Sequence, residues 1–190
     1  MVIGLTGGIS SGKSFVESYL EKKGYFILDT DILYKELIKP GNICYNAIIK
    51  EFPYFNSDST IDLKKLASVV YNDYEKLNLL NSLVHPLIYK ECEKIIKKSK
   101  EDIIFLVVPL MFEAGFDKLC DKVCCVYTSK EAQINRLINR DNIGREDAIK
   151  KINAQMDVEL KKQKSDYLIE SCPDFNDTIK NIDIFLERIK

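Results

Sequence analysis

Eight residues near the start of the chain, Gly7-Gly8-Ile9-Ser10-Ser11-Gly12-Lys13-Ser14, have the spacing G-x-x-x-x-G-K-[ST] of a loop that wraps nucleotide phosphates. The chemistry of such a loop is electrostatic. A tight glycine-rich curl aims backbone N–H groups at phosphate oxygens, and the N-terminus of the next helix adds partial positive charge facing the same anion. On this pattern Gly8, Ile9, Ser10, Ser11 and Gly12 cradle the phosphates of ATP. Lys13 reaches the β- and γ-phosphates, and the Ser14 hydroxyl sits on Mg²⁺.

Two further sets of residues carry chemistry. Of 28 basic residues only four are arginine, Arg136, Arg140, Arg145 and Arg188, and three of them fall within ten positions. A chain that otherwise uses lysine places a planar, always-charged fork there. Arg136 and Arg140, four apart, share one helix face, and Arg145 follows Gly144, a hinge position. The spacing predicts a mobile helical lid at about 140–150 that closes arginine over the transferring phosphoryl group, where catalysis is charge neutralisation and positioning. The plain alternative is a solvated helix face. Asp29 and Asp31 form the second set. They end the apolar run that follows the loop's helix, where ligands bind in an open α/β sheet. A carboxylate there accepts the proton of an attacking hydroxyl or holds Mg²⁺ through water. Asp31 is also placed to cap the next helix.

The elements that must position these groups alternate. Val2-Ile3-Gly4-Leu5-Thr6 is a short apolar strand leading into the loop, and a helix follows from Phe15 to a stop at Gly24. Residues 25–28 form a second strand. A helix over 32–38 is broken by Pro40-Gly41. From 42 to about 100 the pattern is helix after helix with no clear strand. Leu63, Leu66, Ala67 and Val70 share one face, as do Leu77, Leu80, Leu83 and Val84, and Pro86 starts a new helix. The unbroken apolar run 103–108 predicts a strand buried on both faces, and 122–127 a fourth. Thr128-x-x-Glu131 fits a capping box opening a helix to about Asn139. A second helix runs from about Arg145 into the 160s. Residues 166–169 form a fifth strand, and a terminal helix begins near Asp174. This order implies an α/β fold, a doubly wound five-stranded parallel sheet. The stretch between strands two and three is too long for a simple crossover, so 32–88 is expected to be a helical insertion that holds the acceptor, with 1–31 and 89–190 forming the nucleotide-binding core.

Composition agrees with an enzyme of this kind. The chain has 190 residues, 46% hydrophobic and 30% charged, with net charge −1. No global field favours nucleic acid or an anionic membrane, no apolar run approaches spanning length, and the N-terminus is not a signal peptide. The cysteines, Cys44, Cys92, Cys120, Cys124, Cys125 and Cys172, contain no C-x-x-C pair, and the lone His85 is near none of them in sequence. Reduced thiols in the cytoplasm are expected rather than zinc ligands or disulfides.

Together the motifs resemble the dephospho-coenzyme A kinase family in order and spacing. They are Thr6-Gly7-Gly8-Ile9-Ser10-Ser11-Gly12-Lys13-Ser14, Asp29-Thr30-Asp31, His85-Pro86-Leu87-Ile88, Val107-Val108-Pro109-Leu110-Met111-Phe112-Glu113 and Asn139-Arg140-Asp141. The resemblance covers residues 2 to about 170. It implies transfer of the γ-phosphate of ATP, with magnesium, to the 3′-hydroxyl of the ribose in dephospho-CoA, the last step of coenzyme A synthesis. By this likeness Asp31 is the general base, and Lys13 and Arg140 neutralise the transferring phosphate. The 32–88 insertion holds the CoA portion, and Asp29, His85 and Glu113 line the acceptor side. No protein partner is implied. The loop Glu170-Ser171-Cys172-Pro173 departs from the family's Asn-x-Gly-like turn near the adenine, so no adenine contacts are assigned. The stretch 155–161 keeps Gln155 and Glu159 but lacks an arginine sometimes found there.

The residues alone leave the acceptor open: another P-loop kinase, for a nucleoside monophosphate or another small alcohol, shares the loop and the lid. A GTPase-type switch is disfavoured. Asp141-Asn142-Ile143-Gly144 fits D-x-x-G but follows a helix, and no N-K-x-D occurs.

Overall fold

Apolar runs without alternation become the inner strands. In the computed structural model, which describes residues 1–53, 56–57, 60–70 and 73–189, β1 (Val2–Gly7) and β5 (Ile104–Val107) are buried along their whole length. β6 (Lys122–Tyr127) is buried except at its ends. A parallel sheet covered on both faces requires this. With β2 (Phe26–Asp29) and β7 (Tyr167–Glu170) the sheet order is β2–β5–β1–β6–β7. β1 is central, parallel to β5 with Val2 opposite Ile104, and parallel to β6 with Gly4 opposite Val123. β7 alternates as an edge strand does, Ile169 buried and Leu168 exposed. The expected doubly wound five-stranded α/β sheet is the observed one. Two short strands outside it, Asn56–Ser57 (β3) and Thr60–Ile61 (β4), pair antiparallel in a stretch the sequence presents as helical throughout. Two-residue strands carry no periodicity to detect.

The chain divides into two compact units, Met1–Leu28 with Lys100–Lys190, and Asp29–Ser99. In the first, α1 (Lys13–Lys22) and α9 (Phe175–Arg188) cover the face to which Ile3 and Leu5 point, and Val16, Leu20, Phe105, Ile182 and Phe185 complete that core. In the second, α2 (Thr30–Leu37), α3 (Ile43–Glu51) and α4 (Leu63–Val70) each pack on the long α5 (Tyr74–Lys98). Positions 54, 55, 58, 59, 71 and 72 of the 32–88 stretch lie outside the described residues. Among the described residues no helix is long and apolar enough to cross a membrane.

Three helix boundaries differ from the sequence expectation, each for a local reason. Pro86 does not start a helix but lies inside α5. The buried stripe Val84, Ile88 and Cys92 runs straight past it. Pro86 and Ser82, whose carbonyl loses its partner, are both exposed, so water can satisfy that carbonyl. Helix α6 (Lys130–Asp141) is capped by Ser129, whose hydroxyl accepts from Ala132 N–H at 3.2 Å, one residue later than Thr128. The helix expected from Arg145 into the 160s is two. α7 (Arg145–Asn153) ends at Ala154, and α8 (Val158–Lys164) starts afresh from an Asp157 cap that accepts from Glu159 N–H at 2.7 Å.

The end of α1 shows how a glycine sets the path to β2. Gly24 has φ 88°, its N–H donates to Glu21 O at 2.9 Å, and Tyr25 N–H donates to Leu20 O at 3.2 Å. This is a Schellman closure. A Cβ at Gly24 would meet no atom within 4 Å, so Gly24→Ala carries only the cost of a left-handed L-residue. Denaturant unfolding should show a loss of about 1 kcal/mol. An unchanged midpoint would mean the closure is not held in solution.

Candidate active site

The glycine loop leaves β1 at Gly7 and enters α1 at Lys13. Ser11 N–H donates to Gly8 O at 3.1 Å, and Phe15 N–H donates to Gly12 O at 3.0 Å. Ser10 (φ 57°) and Gly12 (φ 96°) take left-handed backbone. Gly7 and Gly12 admit nothing larger: a Cβ at Gly7 would run into the Val126 carbonyl, and one at Gly12 into Ser171 Oγ as well as being strained. The Lys13 and Ser14 amides stand in the first turn of α1, where a helix has no internal acceptor for them. Ser10 Oγ and Ser11 Oγ are buried without a hydrogen-bond partner, so an anion seated in the loop would give them acceptors. The donor set of this chain therefore fits a nucleotide phosphate. Lys13 is mostly buried, 14% exposed, with Nζ 4.0 Å from Glu17 Oε2.

The arginines divide their contacts. Arg136 reaches from α6 to the loop after β7, donating from Nη1 to Ser171 Oγ at 3.0 Å and from Nη2 to the Ser171 and Cys172 carbonyls. Ser171 is the side chain that borders Gly12. The 171–172 loop is thus anchored. Its other side is held by Cys172 N–H donating to Thr178 Oγ1 at 2.9 Å. Arg140 forks onto Asp141, Nε to Oδ1 at 2.7 Å, and Lys151 donates to the same carboxylate at 2.7 Å. The Arg140 and Lys151 hydrogen bonds hold the Asp141 carboxyl well below the usual carboxylate range. Arg145 pairs with Glu131 through both nitrogens, at 2.7 and 2.8 Å. Helices α6 and α7 form a hairpin across Asn142, in left-handed backbone, and enclose Ile134, Leu137 and Ala148.

Glu113 follows β5 and is 23% exposed. Its Oε1 accepts from Met156 N–H at 3.0 Å and pairs at 2.9 Å with the ammonium of Lys161, which is fully buried on α8. Lys161 Nζ also donates to Pro109 O at 2.6 Å, and Thr6 Oγ1 to the same carbonyl at 3.3 Å. In the second unit Asp29 and Asp31 open α2. Asp29, not Asp31, is the cap: its Oδ1 accepts from Asp31 N–H at 2.6 Å and Ile32 N–H at 3.1 Å. Asp31 is an exposed first-turn residue. His85 lies on α5, where burial lowers its pKa from the ordinary imidazole value. It stands neutral at pH 7, a hydrogen-bonding group rather than a cation.

The structure brings forward residues the sequence reading did not assign. Gln133, 1% exposed on α6, donates to Ile9 O at 2.9 Å, and Gln155 Oε1 accepts from Ile9 N–H at 3.0 Å. Both line a cavity of about 560 Å³ beside the loop, with Gly8, Ile9, Tyr127 and Lys162. Gln133 left a signal, a polar residue in the helix stripe of Ile134 and Leu137. Lys161 left none in a run of lysines.

A family model described as dephospho-CoA kinase matches residues 1–177. The Dephospho-CoA kinase of Fusobacterium nucleatum is 39% identical over 191 residues, covering 100% of this chain and 98% of that protein. Among solved structures, one from Thermus thermophilus superposes with a TM-score of 0.84 at 27% identity, covering 100% of this chain and 98% of the other. The Dephospho-CoA kinase of Campylobacter jejuni gives 0.72 at 26% identity, covering 99% and 96%.

The Glu113–Lys161 pair yields a stability test. Removing the carboxylate leaves a buried ammonium with one carbonyl, so Glu113→Ala should cost about 3 kcal/mol. Glu113→Gln keeps an acceptor for Met156 N–H and should cost less. Equal midpoints for wild type and Glu113→Ala in thermal unfolding would show that Lys161 does not depend on Glu113.

Proposed function

The chain belongs to the dephospho-CoA kinase family, ATP-using phosphotransferases of the last step of coenzyme A synthesis, and from that premise we propose how its own residues divide the work. The observation that carries the proposal is the loop at 8–14, with its buried unpartnered hydroxyls and the open amides of α1. Gly8 and residues Ser10 to Ser14 bind the phosphates, whereas Ile9, expected among them, has its N–H and carbonyl taken by Gln155 and Gln133. Lys13 neutralises charge on the γ-phosphoryl group as it transfers, and Arg140 joins it from the α6–α7 lid by exchanging its exposed pairing with Asp141, an interaction worth little in water. Ser14 would hold Mg²⁺, which supplies charge neutralisation at the phosphate oxygens when bound.

On the acceptor side, Asp31 accepts the proton of the ribose 3′-hydroxyl of dephospho-CoA as that oxygen attacks phosphorus. Its neighbour supports this division, since the Asp29 carboxylate is committed to two backbone N–H groups. The 32–88 segment holds the rest of the acceptor, with neutral His85 as a hydrogen-bonding group, and Glu113 serves the acceptor side from the first unit. A cytosolic setting goes with this pathway step. Burial pushes the Cys44 thiol up to about 11 and the Cys92 and Cys125 thiols up to about 12, which keeps them protonated.

ADP release with Mg-ATP, comparing dephospho-CoA with AMP, CMP and adenosine, tests the acceptor. Turnover with dephospho-CoA giving a 3′-phosphorylated product is expected, and turnover with a monophosphate instead would overturn it. In the same assay Lys13→Ala should lower kcat by about 10²–10³ while the fold persists. Asp31→Asn should lower kcat far more than it weakens ATP binding. Asp29→Asn keeps a cap acceptor for both N–H groups and should leave stability and kcat close to wild type, whereas Asp29→Ala should cost about 1 kcal/mol of stability. The reverse order of the two aspartates in kcat would move the base to Asp29.

A further inference from the structure

Ile9 is gripped on three sides. Its N–H donates to Gln155 Oε1 at 3.0 Å and its carbonyl accepts from Gln133 Nε2 at 2.9 Å. Its side chain packs against the apolar cluster of the α6–α7 hairpin, around Ile134, Leu137 and Ala148. A residue whose two backbone polar groups are both committed to side chains has none left for a phosphate. Ile9 is therefore the joint of the loop rather than part of its donor surface.

The two glutamines come from the two ends of the hairpin. Gln133 stands one turn into α6. Gln155 lies just beyond α7, and its N–H donates to Ile152 O at 3.2 Å. The next residue, Met156, donates its N–H to Glu113, which pairs with Lys161, which donates to Pro109 O, the carbonyl that also takes Thr6 Oγ1. Polar contacts thus run from Thr6 on β1 through Pro109, Lys161, Glu113 and the 155–156 backbone to Gln155. They return to the chain at Ile9, three residues after Thr6. Every link lies in the first compact unit. The hairpin is anchored to the sheet at 156 and to the phosphate loop at 155, two adjacent residues.

We propose that Gln155 is a positioning residue for phosphoryl transfer. It fixes Ile9 to the base of the α6–α7 hairpin, so that closure of the hairpin over nucleotide and the set of the phosphate cradle are one movement. This rests on the reading of residues 8–14 as the cradle. Gln155 touches no reacting atom in this scheme. Its effect belongs in kcat, because the hairpin's arginine and the loop's Lys13 must be aligned together only as the phosphoryl group moves.

The test pairs Gln155→Leu, which removes the acceptor at similar volume, with Gln155→Glu, which restores an acceptor at the same length. Lys13→Ala runs alongside. Gln155→Leu should lower kcat about tenfold while KM for ATP moves less than about threefold. Gln155→Glu should recover most of the lost kcat. Hydrogen exchange gives a second readout. In wild type and Gln155→Glu, ATP should slow exchange in both 8–14 and 145–153, whereas in Gln155→Leu it should protect 8–14 alone. Wild-type kcat in Gln155→Leu, a Gln155→Glu variant no better than it, or unchanged joint protection in Gln155→Leu would each overturn the coupling. Lys13→Ala separates the two ideas. If it is inactive while Gln155→Leu is fully active, the cradle stands and the coupling falls. If Lys13→Ala turns over normally, the cradle reading itself falls, and the coupling with it.

Discussion

The structure depends on how the backbone leaves β1. The strand is buried throughout, paired with β5 up to Leu5 and with β6 up to Gly7, opposite Val126. Beyond it the polar groups of a short, partly buried turn need partners that no ladder supplies. The chain provides some internally, Gly8 O to Ser11 N–H and Gly12 O to Phe15 N–H. It provides others from afar, with Gln133 and Gln155 on Ile9. The remainder, two buried hydroxyls and the first amides of α1, are what an anion completes. The central place of β1 follows from the same need. Only a strand with neighbours on both sides delivers the turn among α6, the 109–113 segment and the 171–172 loop at once.

Charge type sorts the supporting contacts. Surface lysines form pairs such as Lys94–Glu91 and Lys180–Asp177 at 2.8 Å, both three residues apart and of little energetic weight. The one lysine among the buried charged groups described, Lys161, acts differently. Its ammonium links α8 to the carbonyl after β5, and its carboxylate partner Glu113 also holds Met156. Arginine is used where several acceptors lie around one plane. Arg136 meets a hydroxyl and two carbonyls of one loop, which a single ammonium cannot match in geometry. The fork that suits a phosphate also suits a backbone turn, so clustered arginines in a sequence identify a demanding site without saying which arginine faces the ligand.

What was legible in the sequence follows from the range of the forces involved. The runs 122–127 and 103–108 read as strands because burial on both faces leaves no alternation. The loop at 7–14 reads directly because its chemistry is local. Pro86 misled, since the burial of Val84, Ile88 and Cys92 on neighbouring helices outweighs one lost backbone hydrogen bond on an exposed face. Thr128 misled by one residue because Thr128 and Ser129 are both competent caps. Gln155 and Lys161 could not be given roles, since each acts on a residue far away in the chain, Ile9 for one and Pro109 for the other.

The two aspartates show how local geometry narrows a chemical assignment. Carboxylates two residues apart at a strand end look equivalent in sequence. Starting the helix at Thr30 makes Asp29 the cap, and two backbone N–H groups occupy one of its oxygens. Asp31, one residue into the helix, keeps an exposed side chain. It stands in the first turn of α2, at the helix end that is favourable for a negative side chain. Asp29 orders the turn, and Asp31 is the carboxylate proposed as the base. Removing the Asp29 carboxylate should therefore disturb the backbone of Asp31, whereas substituting Asp31 should leave the cap intact, since it is the Asp31 N–H and not its side chain that meets Asp29.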